Sequence, residues 1–144
     1  MDWNPKQNIE GISIQVCLNG YSFKVSDGTS VKESGWRGAD TVFTAAELQR
    51  RYPKVEISLL TPKVALVPSS FFNESFMRGC LSDTVILGEE DEVRHVPVPG
   101  FAAELVYSLT IGEMLSRTVS QAVLDKDGEP AEVLPEMYYI LADL

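Results

Sequence analysis

The sequence predicts an α+β fold: a mixed, mostly antiparallel sheet that opens with a β-hairpin and has helices packed against it. Three observations predict it. Residues 12–18, Ile-Ser-Ile-Gln-Val-Cys-Leu, alternate strictly between apolar and polar, and residues 21–26 repeat the alternation. Val64-Ala65-Leu66-Val67 is a continuous apolar run between two prolines. Two Thr-x-x-Glu sequences, Thr44 to Glu47 and Thr110 to Glu113, mark helix starts.

In the first strand Ile12, Ile14, Val16 and Leu18 share one face, opposite Ser13, Gln15 and Cys17; period two is the mark of a half-buried strand. Asn19-Gly20 follows, a pair suited to a type I′ turn because both central residues there need positive φ. A two-residue loop at that point pairs Leu18 with Tyr21, Val16 with Phe23 and Ile14 with Val25, and all apolar side chains land on one face. Asp27-Gly28 marks a second turn. Residues 29–36 form a third strand, either an irregular edge or one reached by a longer loop, and Trp36-Arg37-Gly38 reads as loop.

A short helix starts at the Thr44 capping box, stapled by Phe43 and Leu48, and stops by Tyr52 ahead of Pro53. Val55, Ile57 and Leu59 alternate with Glu56 and Ser58 as a strand. The run at 64–67 predicts a central strand buried on both faces. Pro68-Ser69-Ser70 opens a second helix, whose stripe of Phe72, Phe76 and Cys80, with Phe71, Met77 and Leu81 beside it, is core packing. Short strands are expected at 84–87 and 93–98, and another where Leu105, Tyr107 and Leu109 alternate with Glu104 and Ser108. A third helix begins at the Thr110 box, stapled by Leu109 and Met114, and ends by Asp127-Gly128 and Pro130. The tail, 135–144, forms one more short helix, and its Met137, Tyr138, Ile140 and Leu141 need a surface to cover.

The 144 residues fit one domain, 1–144, with residues 1–11 and the end of the tail loosely ordered. A hydrophobic fraction of 44% and a charged fraction of 23% suffice for a packed core and exclude disorder by composition. No apolar run approaches the roughly 18 residues of a membrane helix. The opening Met1-Asp2-Trp3-Asn4-Pro5 has no basic and apolar leader, so a cytoplasmic location with Cys17 and Cys80 reduced is expected, and no membrane partner. The net charge of −9 is uneven: residues 1–81 hold 9 basic and 8 acidic side chains, residues 82–144 hold 3 and 13. The acids gather at Glu89-Glu90-Asp91-Glu92 and from Asp125 to Glu136. Such a surface repels phosphate backbones, which excludes nucleic acid as an expected partner. The two acidic stretches read as solvated turns or as a docking patch for a basic partner.

Asp27-Gly28-Thr29-Ser30 is the one weak candidate for cofactor binding, since tight turns point backbone N–H groups at anions. Actin-type ATPases use an acidic-Gly-Thr hairpin in this way, but between their first two strands. Here that place holds Asn19-Gly20, flanked by Leu18 and Tyr21, with no metal-binding carboxylate and no Ser or Thr hydroxyl. Asp125, Asp127, Glu129 and Glu136 mimic the oxygen spacing of a calcium loop, but the sixth position, which must be Gly, is Pro130. His95 is the only histidine and has no paired cysteines, so no metal site is expected. No nucleophile elbow and no Gly-rich phosphate loop is present, and no catalytic residue is assigned. Arg50, Arg51 and Lys54 form a small basic cluster at a helix end.

Three stretches carry a resemblance: I-S-I-Q-V-C-L-N-G-Y-S-F-K-V at 12–25, V-A-L-V-P-S-S-F-F-N at 64–73 and V-P-V-P-G-F-A-A-E-L-V-Y-S-L at 96–109. They resemble a Bacteroidetes protein family of unknown function. That resemblance implies an actin-like ATPase fold with a ribonuclease-H-like core, matched over its N-terminal half only. It carries over no catalytic residue. The expected function is a non-enzymatic interaction or self-association module with a degenerate actin-like half-fold, a homodimer or bound to a protein partner, with no cofactor. The alternative is a nucleotide-binding, ATPase-like protein whose site a second subunit completes.

Overall fold

The structure, a computed structural model, describes residues 10–144. Of the loosely ordered start expected over 1–11, residues 1–9 lie outside the described residues. The chain gathers into two compact units: the residues up to Ser58 with Met114–Val133, and Leu59–Glu113 with Leu134–Leu144.

The larger sheet has five strands, of which the first three lie wholly in the first unit. Its strands are β1 (Gly11–Val16), β2 (Gly20–Ser26), β3 (Val31–Gly38), β4 (Lys54–Leu59) and β8 (Val133–Pro135), in the order β3-β2-β1-β4-β8. The first three form an antiparallel meander. Strand β4 runs parallel to β1: a Cβ on Gly11 would lie 3.2 Å from the Lys54 carbonyl, and Ser58 Oγ donates to the Ile14 carbonyl at 3.4 Å, so residue numbers rise together. The sheet is therefore mixed, as expected. Ile12, Ile14, Val16, Tyr21, Phe23 and Val25 are all buried, which is the apolar face that alternation predicts.

The hairpin register differs from the expected one by two residues. Val16 faces Tyr21, Ile14 faces Phe23 and Ile12 faces Val25. Leu18-Asn19 form the tip, bracketed by a Cys17 N–H to Gly20 carbonyl bond of 2.8 Å. Neither Asn19 nor Gly20 has positive φ, so there is no type I′ turn. A slip of two preserves which face each side chain takes, so alternation cannot detect it. Strand β3 extends through Trp36-Arg37-Gly38, which were expected as loop, and meets β2 through an irregularity at Val25/Ser26.

Helix α1 is only Ala46–Gln49, one turn, with Ala45 as its cap. The Thr44 capping box does not form: Thr44 Oγ1 donates to the Thr41 carbonyl, and Glu47 turns to Arg37. Phe43 of the expected staple is 76% exposed. Val42, Ala45, Leu48, Tyr52, Ile57, Val119 and Val123 are further buried apolar residues of this unit. The last two belong to helix α3 (Glu113–Ala122) and the residue that follows it.

The second unit holds a three-stranded antiparallel sheet ordered β5-β7-β6, from β5 (Val64–Pro68), β6 (Arg94–Pro97) and β7 (Ala103–Tyr107). Strand β5 is an edge and Leu66 is 48% exposed; the central, buried strand is β7, where Leu105, Val106 and Tyr107 are all inside. An apolar run alone does not distinguish a central strand from an edge backed by a helix. Helix α2 is Met77–Ser82, preceded by a 3₁₀ turn at Glu74–Phe76 whose cap is Asn73, with Oδ1 accepting the Ser75 N–H at 2.9 Å. Its core contact is Leu81 against Val67 and Val106, with Phe72, Met77 and Cys80 partly buried around them; Phe71 and Phe76 face out. No strand forms at 84–87.

Helix α3 begins at Glu113, three residues after Thr110, and the staple of the second box does not form. Thr110 opens a 3₁₀ turn (Thr110–Gly112), and its Oγ1 accepts the Glu92 N–H at 2.9 Å. Met114, of the expected staple, is 86% exposed. The tail forms helix α4 (Glu136–Ala142), on which Ile140 stays half exposed. Among the described residues no helix is long and apolar enough to cross a membrane.

Candidate functional site

Parallel β1 and β4 give the first sheet a direction. In open α/β sheets ligands sit beyond the carboxyl ends of the parallel strands. That end carries the Leu18-Asn19 tip. Leu18 is 70% exposed, the Cys17 N–H is taken by Gly20, and the Asn19 carbonyl accepts the Ala39 N–H at 3.1 Å. The polar side chains nearest in sequence to this end of β3 are Asp40, beside Gly38, and Thr41, whose Oγ1 donates to the Gly38 carbonyl at 2.8 Å. Nothing in the sequence pattern singled them out, because they follow a stretch that reads as loop.

Asp27, Gly28, Thr29 and Ser30 lie at the other end of the sheet, where Ser26 faces Gly11. The four residues are brought together, but around Asp27 itself. Its Oδ1 accepts the Thr29 N–H (3.0 Å), the Ser30 N–H (2.9 Å) and the Thr29 hydroxyl (2.9 Å), and Gly28 takes φ +92° to close the loop. The backbone N–H groups that would hold an anion thus hold a carboxylate. The Ser30 and Thr29 N–H groups keep the Asp27 carboxyl far below the ordinary aspartate range. A group depressed in the folded state stabilises above its unfolded pKa, about 3.9, and loses that contribution as pH falls through the folded value. Asp27→Ala is therefore expected to lower the thermal midpoint at neutral pH, with the gap to the parent chain closing in acid. Equal midpoints at neutral pH would show that the turn holds without its carboxylate. A surface groove opens nearby between Ser26, Gly28, Lys54 and Glu56, and its cation, Lys54, is already paired with Glu56 at 3.2 Å.

The second unit holds a buried carboxylate, Asp91, at 4% exposure. Oδ2 accepts from Lys63 Nζ (2.6 Å) and the Gly88 N–H (2.8 Å), and Oδ1 accepts from the Ser108 hydroxyl (3.0 Å). Arg78 clamps the same loop by donating to the Asp91 and Gly88 carbonyls. Lys63 and its companions hold the Asp91 carboxyl below the usual range. Every polar group at this node meets another, so it fastens a loop. His95, on β6, stacks on Phe72 with ring centroids 4.7 Å apart and approaches Glu104 at 3.4 Å. Asp125 closes its own turn, accepting the Asp127 and Glu129 N–H groups. Among the described residues no three His, Cys, Asp or Glu side chains are placed to share a metal ion.

Strand β3 stands apart. It ends the sheet order, and seven of its eight residues are exposed. Its charges are held from behind: Arg37 Nε donates to Glu47 Oε1 at 2.8 Å and Arg50 to Glu33 Oε2 at 2.6 Å. Arg37 also lies 5.6 Å from the Phe23 ring, and Arg50 the same distance from Tyr52. Burial is the largest single influence on Glu47 and works against its charge, but the Arg37 hydrogen bond, a backbone N–H and the nearby Arg37 and Arg50 charges together outweigh it, so the carboxyl titrates below its ordinary value. The Tyr21 hydroxyl, fully buried, points towards Thr41 without reaching hydrogen-bond geometry, and burial raises its pKa.

Neither a family model nor a curated protein matches this sequence. Solved structures do. A Bacteroides thetaiotaomicron protein with an actin-like ATPase fold and unknown function superposes with a TM-score of 0.64 at 12% identity, over 97% of this chain and 57% of its own. Cyto-EpsL, the cytoplasmic domain of EpsL, an inner-membrane component of the type II secretion system of Vibrio cholerae, gives 0.58 at 14% identity, over 88% of this chain and 57% of its own. The fold is therefore the actin-like one that the three sequence stretches imply, and this chain spans just over half the length of each relative.

Proposed function

We propose that this chain is a non-enzymatic interaction module on an actin-like fold, and that it self-associates through protein surface in the cytoplasm, without nucleic acid or membrane. The observation that carries this reading is the eight-residue edge strand β3, exposed along its length at the end of its sheet. Such an edge presents a row of backbone donors and acceptors to another strand. Two further observations support it. The hairpin tip at the ligand end of the sheet is an exposed leucine, and Asp27 occupies its own turn's N–H groups. One fold relative is itself a component of a secretion assembly.

A thermal-shift assay with ATP and Mg²⁺, run beside light scattering, tests the reading. We expect an unchanged melting temperature and a mass above one chain. A ligand at about 100 times its Kd adds about 2.7 kcal/mol to the state that binds it. That is a shift of several degrees for a domain of this size. A shift of that order would replace this reading with the nucleotide-binding one, in which a second subunit completes the site.

A further inference from the structure

The self-association proposed above leaves open which surfaces meet, and β3 carries a charge pattern that answers it. We infer that two copies of this chain join through β3, antiparallel, about a two-fold axis at Gly35, making one continuous sheet across the pair. The inference rests on the self-association reading and goes beyond it in naming the strand, the register and the charges.

Symmetry limits the choices. In an antiparallel pair, residues opposite each other share a face. A two-fold axis normal to the sheet therefore falls on a residue, not between residues. With the axis at Glu33, that carboxylate meets its own copy. At Ser34, Lys32 meets Trp36 and Glu33 meets Gly35, so the anion has no cation. At Trp36, Arg37 meets Gly35. Only the axis at Gly35 sets Glu33 opposite Arg37, and does so twice. Opposite charges across a strand pair attract and like charges repel, so the pattern selects this register. The same register sets Trp36 opposite Ser34, with Lys32 and Trp36 of the second copy on its diagonals, within reach of an aromatic side chain.

The charges are already held on the correct side. Arg37 is bound to Glu47 and Glu33 to Arg50 within the chain. Joining two copies links these pairs into a row of alternating sign: Arg50, Glu33, Arg37, Glu47. Charges and an irregularity at Val25/Ser26 otherwise guard an edge against indiscriminate pairing. Here the guard charges reject the other registers and admit one.

Sedimentation equilibrium on the whole chain and on Glu33→Arg, Arg37→Glu and the double exchange tests the inference, with circular dichroism to follow folding. Each single change makes two like-charge contacts and should weaken the dimer on the order of 10- to 100-fold. The double exchange should restore most of it, although within each chain it sets a new cation beside Arg50 and a new anion beside Glu47. If these residues act only within the chain, the double variant is the weakest of the three, and the inference fails. Hydrogen exchange on the unaltered chain gives a reading free of any variant: amides of Val31–Gly38 should gain protection as concentration rises. A dimer whose β3 amides exchange freely overturns this interface and spares self-association. A chain that stays monomeric at every concentration overturns both.

Discussion

Asp91→Asn is expected to cost about 3 kcal/mol of folding stability near neutral pH, the scale of breaking a buried ion pair by removing one partner. Asp91 is 4% exposed and Lys63 sits against it at 2.6 Å with one fifth of its side chain exposed. The amide can still accept the Gly88 N–H or the Ser108 hydroxyl, but it leaves the Lys63 ammonium half-buried with no counter-charge. The loop from Gly88 to Asp91 then loses its inner anchor, though Arg78 still holds its carbonyls. The pH dependence gives a second reading. The folded carboxyl titrates below its ordinary value, chiefly because Lys63 donates to it. Its contribution is full above the unfolded pKa, about 3.9, and fades as pH falls through the folded value. Urea unfolding should show a large deficit at neutral pH that narrows in acid. Lys63→Met should cost a comparable amount, and Lys63→Met with Asp91→Leu should recover part of the loss, since replacing both charges removes the desolvation cost together with the attraction. An Asp91→Asn chain as stable as the parent at neutral pH would show that the loop needs no buried charge.

Asp91 also marks where sequence reading stops. Glu89-Glu90-Asp91-Glu92 reads as one solvated acidic turn, and three of the four residues are exposed. The fourth is distinguished only by Lys63 and Ser108, 28 and 17 residues away, which no local pattern joins to it. The candidate turn at Asp27 was legible as a turn, because Gly28 and the Asp carboxylate work within four residues; that the hairpin tip, and not Asp27, lies at the carboxyl end of the parallel strands depends on β4 running with β1 and was not. Faces were legible where burial enforces period two, as in β1 and β2. Registers were not, because sliding by two residues keeps the faces. The Thr44 capping box was misread because Thr44 Oγ1 donates to the Thr41 carbonyl and Glu47 turns to Arg37, and neither staple forms because Phe43 and Met114 stay exposed. The fold itself was reached through the resemblance of three stretches, and the structural relatives bear it out at identities too low for more than fold.

Gly20→Ala is expected to cost about 3 kcal/mol, the upper range for forcing extra volume into a packed site. The reason differs from the one its sequence suggests. In a type I′ turn Gly20 would be needed for positive φ, but its φ is not positive. It lies in β2, facing Gly38 on β3, and a Cβ there would stand 2.4 Å from the Arg37 carbonyl oxygen and 2.6 Å from the Trp36 ring. The ring can swing aside, but the carbonyl belongs to the strand, so β3 must part from β2 at this end. The two explanations give different results with Trp36. If φ were the constraint, Gly20→Ala would cost the same whether or not the indole is present. Because close approach is the constraint, Trp36→Ala in the same chain should recover the part due to the ring and leave the part due to the carbonyl, a non-additivity of the kind a double-mutant cycle measures. The same displacement of β3 should weaken dimer formation, since the strand that carries Glu33 and Arg37 no longer lies in the plane of its sheet. Strict additivity of the two substitutions, measured by urea unfolding, would return Gly20 to its role as a turn residue.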